Sequence, residues 1–131
     1  MRLAPALLEE MVEHARREAP NECCGMIGGR AEEALRVYPA TNVEHSPLRF
    51  MIDPKEQLEI DRELERAGLE LAAIYHSHTR TEPRPSQTDI SFARLWPGVL
   101  WLIVGLSGEE PEVRLWRIDD GQVREAELVI G

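Results

Sequence analysis

Apolar residues along this 131-residue chain follow two rhythms. Near the start, Leu8, Met11, Val12 and Ala15 recur at intervals of one helical turn, which places them on one side of a helix. The spacing predicts an amphipathic helix over 3–18 that stops before Pro20. ECCGMIGG (22–29) and ALRVYPA (34–40) read as two strands joined by a Gly-Arg turn region. Asp53-Pro54-Lys55-Glu56 then opens a second helix, with an Asp cap, Pro at the first position and Glu at the third. That helix runs to Ala67, buries Ile60, Leu64 and Ala67, and ends at Gly68. LELAAIYHSH (69–78) reads as a strand. It is followed by a loop with Pro83 and Pro85, then a short helix from about Ser86 to Leu95. Strands at 99–106, 112–118 and 123–130 complete the chain, the last two joined by Asp119-Asp120-Gly121. The outcome is a mixed α/β domain over residues 1–131, one sheet covered by helices, with no repeat or linker to divide it.

Composition narrows what such a domain does. Acidic residues outnumber basic ones 24 to 15, for a net charge of -9. That balance argues against nucleic acid, which rewards Lys and Arg neutralising phosphates, and against anionic membrane surfaces. Glu9 and Glu10 stand where a signal peptide needs an apolar core, and the apolar run at 99–106 is too short to span a bilayer, so the expected location is cytoplasmic. Cys23 and Cys24 are adjacent. On a strand they point to opposite faces, which makes a disulfide between them implausible and favours two small buried thiols.

The candidate chemistry lies in HSHTRTEPRPSQTD, residues 76–89. His76 and His78 are two apart on a strand, so their side chains share a face with Cα atoms ~6.5 Å apart. Asp89 follows after a loop long enough to fold back. Two imidazoles and a carboxylate make a three-ligand zinc site whose fourth position stays open to water, the pattern of catalytic rather than structural zinc. A plainer account exists for each residue. A histidine pair on a strand is commonly surface or core, and Ser86-x-x-Asp89 is close to a capping box that would merely start a helix. Capping and ligation are compatible, because a cap holds its carboxylate rigidly. Glu22 shifts the balance: a charge at the start of a core strand is unfavourable, whereas metal-assisted hydrolysis needs a carboxylate as general base and proton shuttle.

Glu22, then His76-Ser77-His78, seven residues to Ser86 and two more to Asp89, resembles the JAMM (MPN+) metalloprotease motif E…H-[ST]-H-x7-S-x2-D. Pro20-Asn21-Glu22-Cys23-Cys24-Gly25 and Arg49-Phe50…Asp53-Pro54 are similar to that family too, so the resemblance spans essentially the whole chain. It implies a cytidine-deaminase-like α/β sandwich, a mixed β-sheet flanked by helices. It implies that His76, His78 and Asp89 ligate zinc, that Glu22 moves the proton from water to the leaving amine, and that the Ser86 hydroxyl donates to the oxyanion. Thr79 departs from the family, which often has proline there, and is expected to loosen the loop without removing a ligand. A nucleobase deaminase is disfavoured, since H-x-E…P-C-x-x-C is absent.

The resemblance also implies a substrate: the bond after the C-terminal glycine of a ubiquitin-like or sulfur-carrier protein. The amine removed is a lysine side chain, a peptide or a single amino acid, and the sequence does not choose among these. Arg80 and Arg84, in the loop between ligands, are candidates for contact with the substrate's tail, with a solvated loop as the alternative. Relatives imply a homodimer. Two rival readings stay open: a metal-free MPN-type scaffold or binding module, and a zinc hydrolase of small amides.

Overall fold

The computed structural model describes all residues, 1–131. Strand β1 (Arg2–Leu3) leads into helix α1 (Pro5–Glu18), and β2 (Cys24–Arg30) and β3 (Glu33–Ala40) form a hairpin. A loop carries the chain to α2 (Pro54–Ala67), β4 (Glu70–His78) and the short α3 (Gln87–Phe92), which tightens into a 3-10 turn at Ala93–Leu95. Strands β5 (Leu100–Gly105), β6 (Glu112–Asp119), β7 (Gln122–Ala126) and β8 (Val129–Ile130) follow. The eight strands form one mixed sheet in the order β7-β6-β5-β4-β2-β3-β1-β8. No helix is long and apolar enough to cross a membrane.

Period-2 alternation splits the apolar residues into two cores, one on each face. Ile27, Ala73, Tyr75, Leu102, Val104 and Leu115 pack with Met11, Val12 and Ala15 of α1. Met26, Ile74, Trp101, Ile103, Trp116 and Ile118 pack with Ile60 and Leu64 of α2 and with Ala93. The adjacent cysteines obey the same alternation, Cys23 in the first core and Cys24 in the second, both as free thiols. Gly25 makes room for the largest residue of the α1 side: a Cβ there would sit 2.4 Å from the Tyr75 ring. Tyr75 is fully buried, and its hydroxyl lies 2.8 Å from His14 Nδ1 in a buried hydrogen bond.

The sheet is strongly curled. Its two edges, β7 and β8, are joined by Glu127 and Leu128 alone. A flat eight-stranded sheet would hold its edges about 34 Å apart, whereas three extended residue steps reach about 11 Å. The edges therefore come round toward each other on the α1 side, where Ala126 and Leu128 pack against that core.

Several elements differ from the sequence reading for local reasons. The strand expected over 123–130 is two strands at opposite edges, because the chain leaves β6 after Ala126 and pairs again only with β1, Arg2 opposite Val129. The β2–β3 turn is made by Ala31 and Glu32 rather than by Gly-Arg, with φ of 53° and 64°, the left-handed pair a two-residue hairpin requires. Asp120-Gly121 turns β6 into β7 in the same way, at φ of 50° and 77°. α2 is capped as expected: Asp53 accepts from the Lys55 N–H at 2.9 Å and Gly68 closes the helix in the left-handed region at φ 67°. Its Glu56, however, turns away from the cap to accept from the Thr41 backbone and hydroxyl at 2.6 and 2.7 Å. Ala67 is only partly buried, and Leu8 likewise.

Candidate metal centre

Register, not chance, gathers the candidate residues. β2 and β4 are the two central strands and run antiparallel, with Cys24 opposite His76. The pairing continues past the end of β2: the Ser77 N–H donates to the Cys23 carbonyl at 3.3 Å, and the Cys23 N–H donates to the Ser77 hydroxyl at 2.8 Å. One more step sets Glu22 beside His78, on the face shared by Cys24, His76 and His78. Glu22 is 3% exposed and its Oε1 has no protein partner.

Asp89 arrives from the other side, on the first turn of α3. Ser86 is the N-cap: its hydroxyl oxygen accepts from the Asp89 N–H at 3.1 Å, and its own N–H donates to Asp89 Oδ2 at 3.0 Å. This reciprocal cap fixes the carboxylate, and the same Oδ2 lies 3.0 Å from His76 Nε2 and 3.1 Å from His78 Nε2. The two Nε2 atoms are 3.3 Å apart. Three donor atoms on buried side chains thus form a near-equilateral triangle. A tetrahedron with metal–ligand bonds of about 2.05 Å has edges of about 3.3 Å, so the triangle has the size of one face of such a shell.

Tautomer chemistry asks for a cation there. His78 Nδ1 lies 2.9 Å from the Glu82 carbonyl, which can only accept, so Nδ1 carries the proton. Neutral His78 then turns the Nε2 lone pair toward the lone pairs of Asp89, an edge that a proton or a metal ion must bridge. Burial pulls His78 down, but the Asp89 carboxylate and the Glu82 carbonyl outweigh it and raise its affinity for a proton. Burial likewise opposes ionisation of Asp89, and there the imidazoles and the Ser86 N–H prevail and hold the carboxyl well below the usual range. Glu22 goes the other way: burial pushes it up to about 8, with His78 opposing and Asp89 reinforcing. A carboxyl poised near neutrality, beside a charged cluster, is suited to taking and returning a proton.

The sequence assigned no role to Phe50 or Trp116. Phe50 stacks on His76 with ring centroids 4.5 Å apart and packs edge-on against Phe92 at 5.2 Å, walling one side of the centre. Trp116 of β6 donates its indole N–H to the Pro83 carbonyl at 2.8 Å, anchoring the loop that supplies the Glu82 carbonyl. Thr79 does not leave that loop loose, because its hydroxyl donates to the Pro20 carbonyl at 3.0 Å. Both loop arginines are exposed, Arg84 with its guanidinium over the Trp116 ring at 5.5 Å.

Comparison with known proteins gives concordant results. Residues 4–119 match the family model described as prokaryotic homologs of the JAB domain. The CysO-cysteine peptidase of Mycobacterium tuberculosis is 40% identical over 121 residues, covering 91% of this chain and 83% of that one. A probable TtuB-protein conjugate cleaving protease of Thermus thermophilus is 44% identical over 125 residues, covering 95% and 78%. The desampylase of Pyrococcus furiosus is 34% identical over 110 residues, covering 83% and 76%. Among solved structures, the Desulfitobacterium hafniense protein DSY2949 superposes with a TM-score of 0.91 at 35% identity, over 99% of this chain and 92% of its own. At the level of fold alone, a structure described as a JAMM metalloprotease-like zinc site in the proteasome and signalosome gives a TM-score of 0.60 at 20% identity, covering 100% and 97%.

Proposed function

The chain belongs to the prokaryotic JAB-domain family, and from that premise we propose that it is a zinc-dependent peptidase releasing amines from the C-terminal glycine of a ubiquitin-like or sulfur-carrier protein. The observation that carries the reading is the triangle of His76 Nε2, His78 Nε2 and Asp89 Oδ2, sized for a tetrahedral metal and short of a proton on one edge. Named relatives supply the substrate class: a CysO-cysteine peptidase and a protease of TtuB-protein conjugates.

His76, His78 and Asp89 would hold the metal, which when bound would supply a Lewis acid to acidify water and polarise the scissile carbonyl. The protein's own groups do the rest. Glu82 fixes the His78 tautomer, and Phe50 holds the plane of His76. Glu22, buried and with Oε1 unpartnered, takes the proton from the attacking water and delivers it to the departing amine, a poor leaving group until protonated. The Ser86 oxygen already accepts from the Asp89 N–H, which leaves its O–H to donate to the carbonyl oxygen as negative charge develops there. Beside the centre, Met51, Ile52, Pro54, Phe92, Leu95 and Trp96 line an apolar groove on which a folded substrate can rest.

The test combines metal analysis with one variant. Purified protein is expected to hold about one zinc per chain. Glu22→Gln keeps the size of the side chain and all three ligands, so it should retain zinc while cleavage of ubiquitin-fold conjugates falls by at least ~10². Wild type without metal and without cleavage would identify a scaffold. Cleavage of small amides but of no ubiquitin-fold conjugate would identify a different hydrolase.

A further inference from the structure

Glu22 precedes β2, so the sheet does not bond its backbone. Both of its main-chain groups are held instead by the loop over 41–53. The Glu22 N–H donates to the Ser46 carbonyl at 2.9 Å, and the Glu22 carbonyl accepts from Asn42 Nδ2 at 3.0 Å. Asn42 is 5% exposed and uses both ends of its amide. Its second Nδ2 hydrogen goes to the Arg49 carbonyl, and its Oδ1 accepts from the N–H groups of Glu44 and Met51, each bond 3.0 Å long.

These four bonds have a division of labour. The two accepted bonds wind the loop around the side chain. The two donated bonds tie that loop to Glu22 on one side and to the peptide preceding Phe50 on the other. Phe50 in turn stacks on His76. Two carbonyls and two N–H groups around one buried side chain call for a primary amide, since a carboxylate cannot donate and a hydroxyl cannot reach four partners. We infer that Asn42 is a positioning residue for the reaction: it holds the Glu22 main chain so that the carboxylate meets water and amine in one geometry. The inference rests on the reading of Glu22 as proton shuttle.

Asn42→Ala removes all four bonds, and Asn42→Asp keeps the two acceptor bonds that shape the loop while losing the donors to Glu22 and Arg49. Each is made alone and combined with Glu22→Gln, and zinc content, cooperative melting, kcat and KM are measured on one conjugate. Displacing a reacting group by a fraction of an ångström to 1 Å costs about 10- to 100-fold, so each single variant should lose that much kcat with KM within about threefold and zinc retained. Combined with Glu22→Gln, neither should lower the residual rate further, because no shuttle remains to be misplaced. A folded variant with near-wild-type kcat overturns the inference, as does an equal loss with and without Glu22→Gln, which marks a structural role. If Asn42→Ala fails to melt cooperatively, Asn42→Asp decides by the same criteria. Should Glu22→Gln alone cleave normally, the shuttle reading fails instead, and the single Asn42 variants still report whether the loop governs the rate.

Discussion

Ser86 carries two claims on one hydroxyl. As an N-cap it accepts from the Asp89 N–H, and losing that bond costs about 1 kcal/mol of stability. As an oxyanion donor it would be worth roughly 10²–10³ in kcat. Ser86→Ala is expected to show both, a small drop in melting temperature and a large drop in turnover, and normal turnover would leave only the cap. His76, His78, Ser86 and Asp89 were legible in the sequence because their geometry is set by short-range rules, alternation on a strand and the spacing of a helix cap. Asn42 was not, nor was the role of Phe50 against His76. A polar residue in a loop acquires a role only from partners at positions 22, 44, 49 and 51 meeting it, and no local pattern encodes that meeting.

Among the elements, the segment from Thr79 to Ser86 shows how a loop without regular structure is made rigid. Thr79 donates to Pro20, Glu82 receives the His78 Nδ1–H, and the Trp116 indole holds Pro83. Pro83 also rests on Gly105, where a Cβ would come within 2.8 Å of its ring. Trp116→Phe keeps an aromatic ring in the β6 core but deletes the donor to Pro83 together with part of the buried indole volume. Because the next carbonyl back orients His78, zinc affinity measured by chelator competition should weaken by about tenfold, the lower range for loss of an outer partner of a metal ligand. Unchanged affinity would show that Pro83 and Gly105 suffice. The strands and both long helices could be read from periodicity. The separation of β7 from β8 could not, since both continue one apolar–polar pattern and only the curl of the sheet parts them.

For the molecule as a whole, the buried carboxyl at Glu22 has a thermodynamic signature. Its folded affinity for a proton, near pH 8 without metal, exceeds the unfolded value near 4.5. The unfolded chain therefore ionises first. Stability from this group is complete below about pH 4.5 and declines as pH rises toward 8. The raised His78 acts in the same direction, whereas the lowered Asp89 loses its contribution only in stronger acid. Chelator-treated wild type should accordingly melt lower at pH 8 than at pH 5.5. Glu22→Gln, which cannot ionise, should flatten that dependence, and equal slopes would place Glu22 in a wetter site than its 3% exposure indicates. Zinc held by the folded triangle of donors alone should raise the melting temperature most at the alkaline end, where protons no longer compete for His78.

The curl of the sheet has a kinetic corollary. Arg2 lies opposite Val129, so the β1–β8 seam joins residues separated by nearly the entire chain. Loop-closure entropy makes such a pairing unfavourable until the intervening strands have been laid down. The seam is thus the last part of the sheet to assemble and, with only two residues in each strand, the first to fray. β4, which carries His76 and His78 of the candidate metal centre, is separated from that seam by β3 and β2. Breathing at the margin meets β3 and β2 before it reaches His76 and His78, and the protein can loosen at its edge while the triangle of donors stays intact.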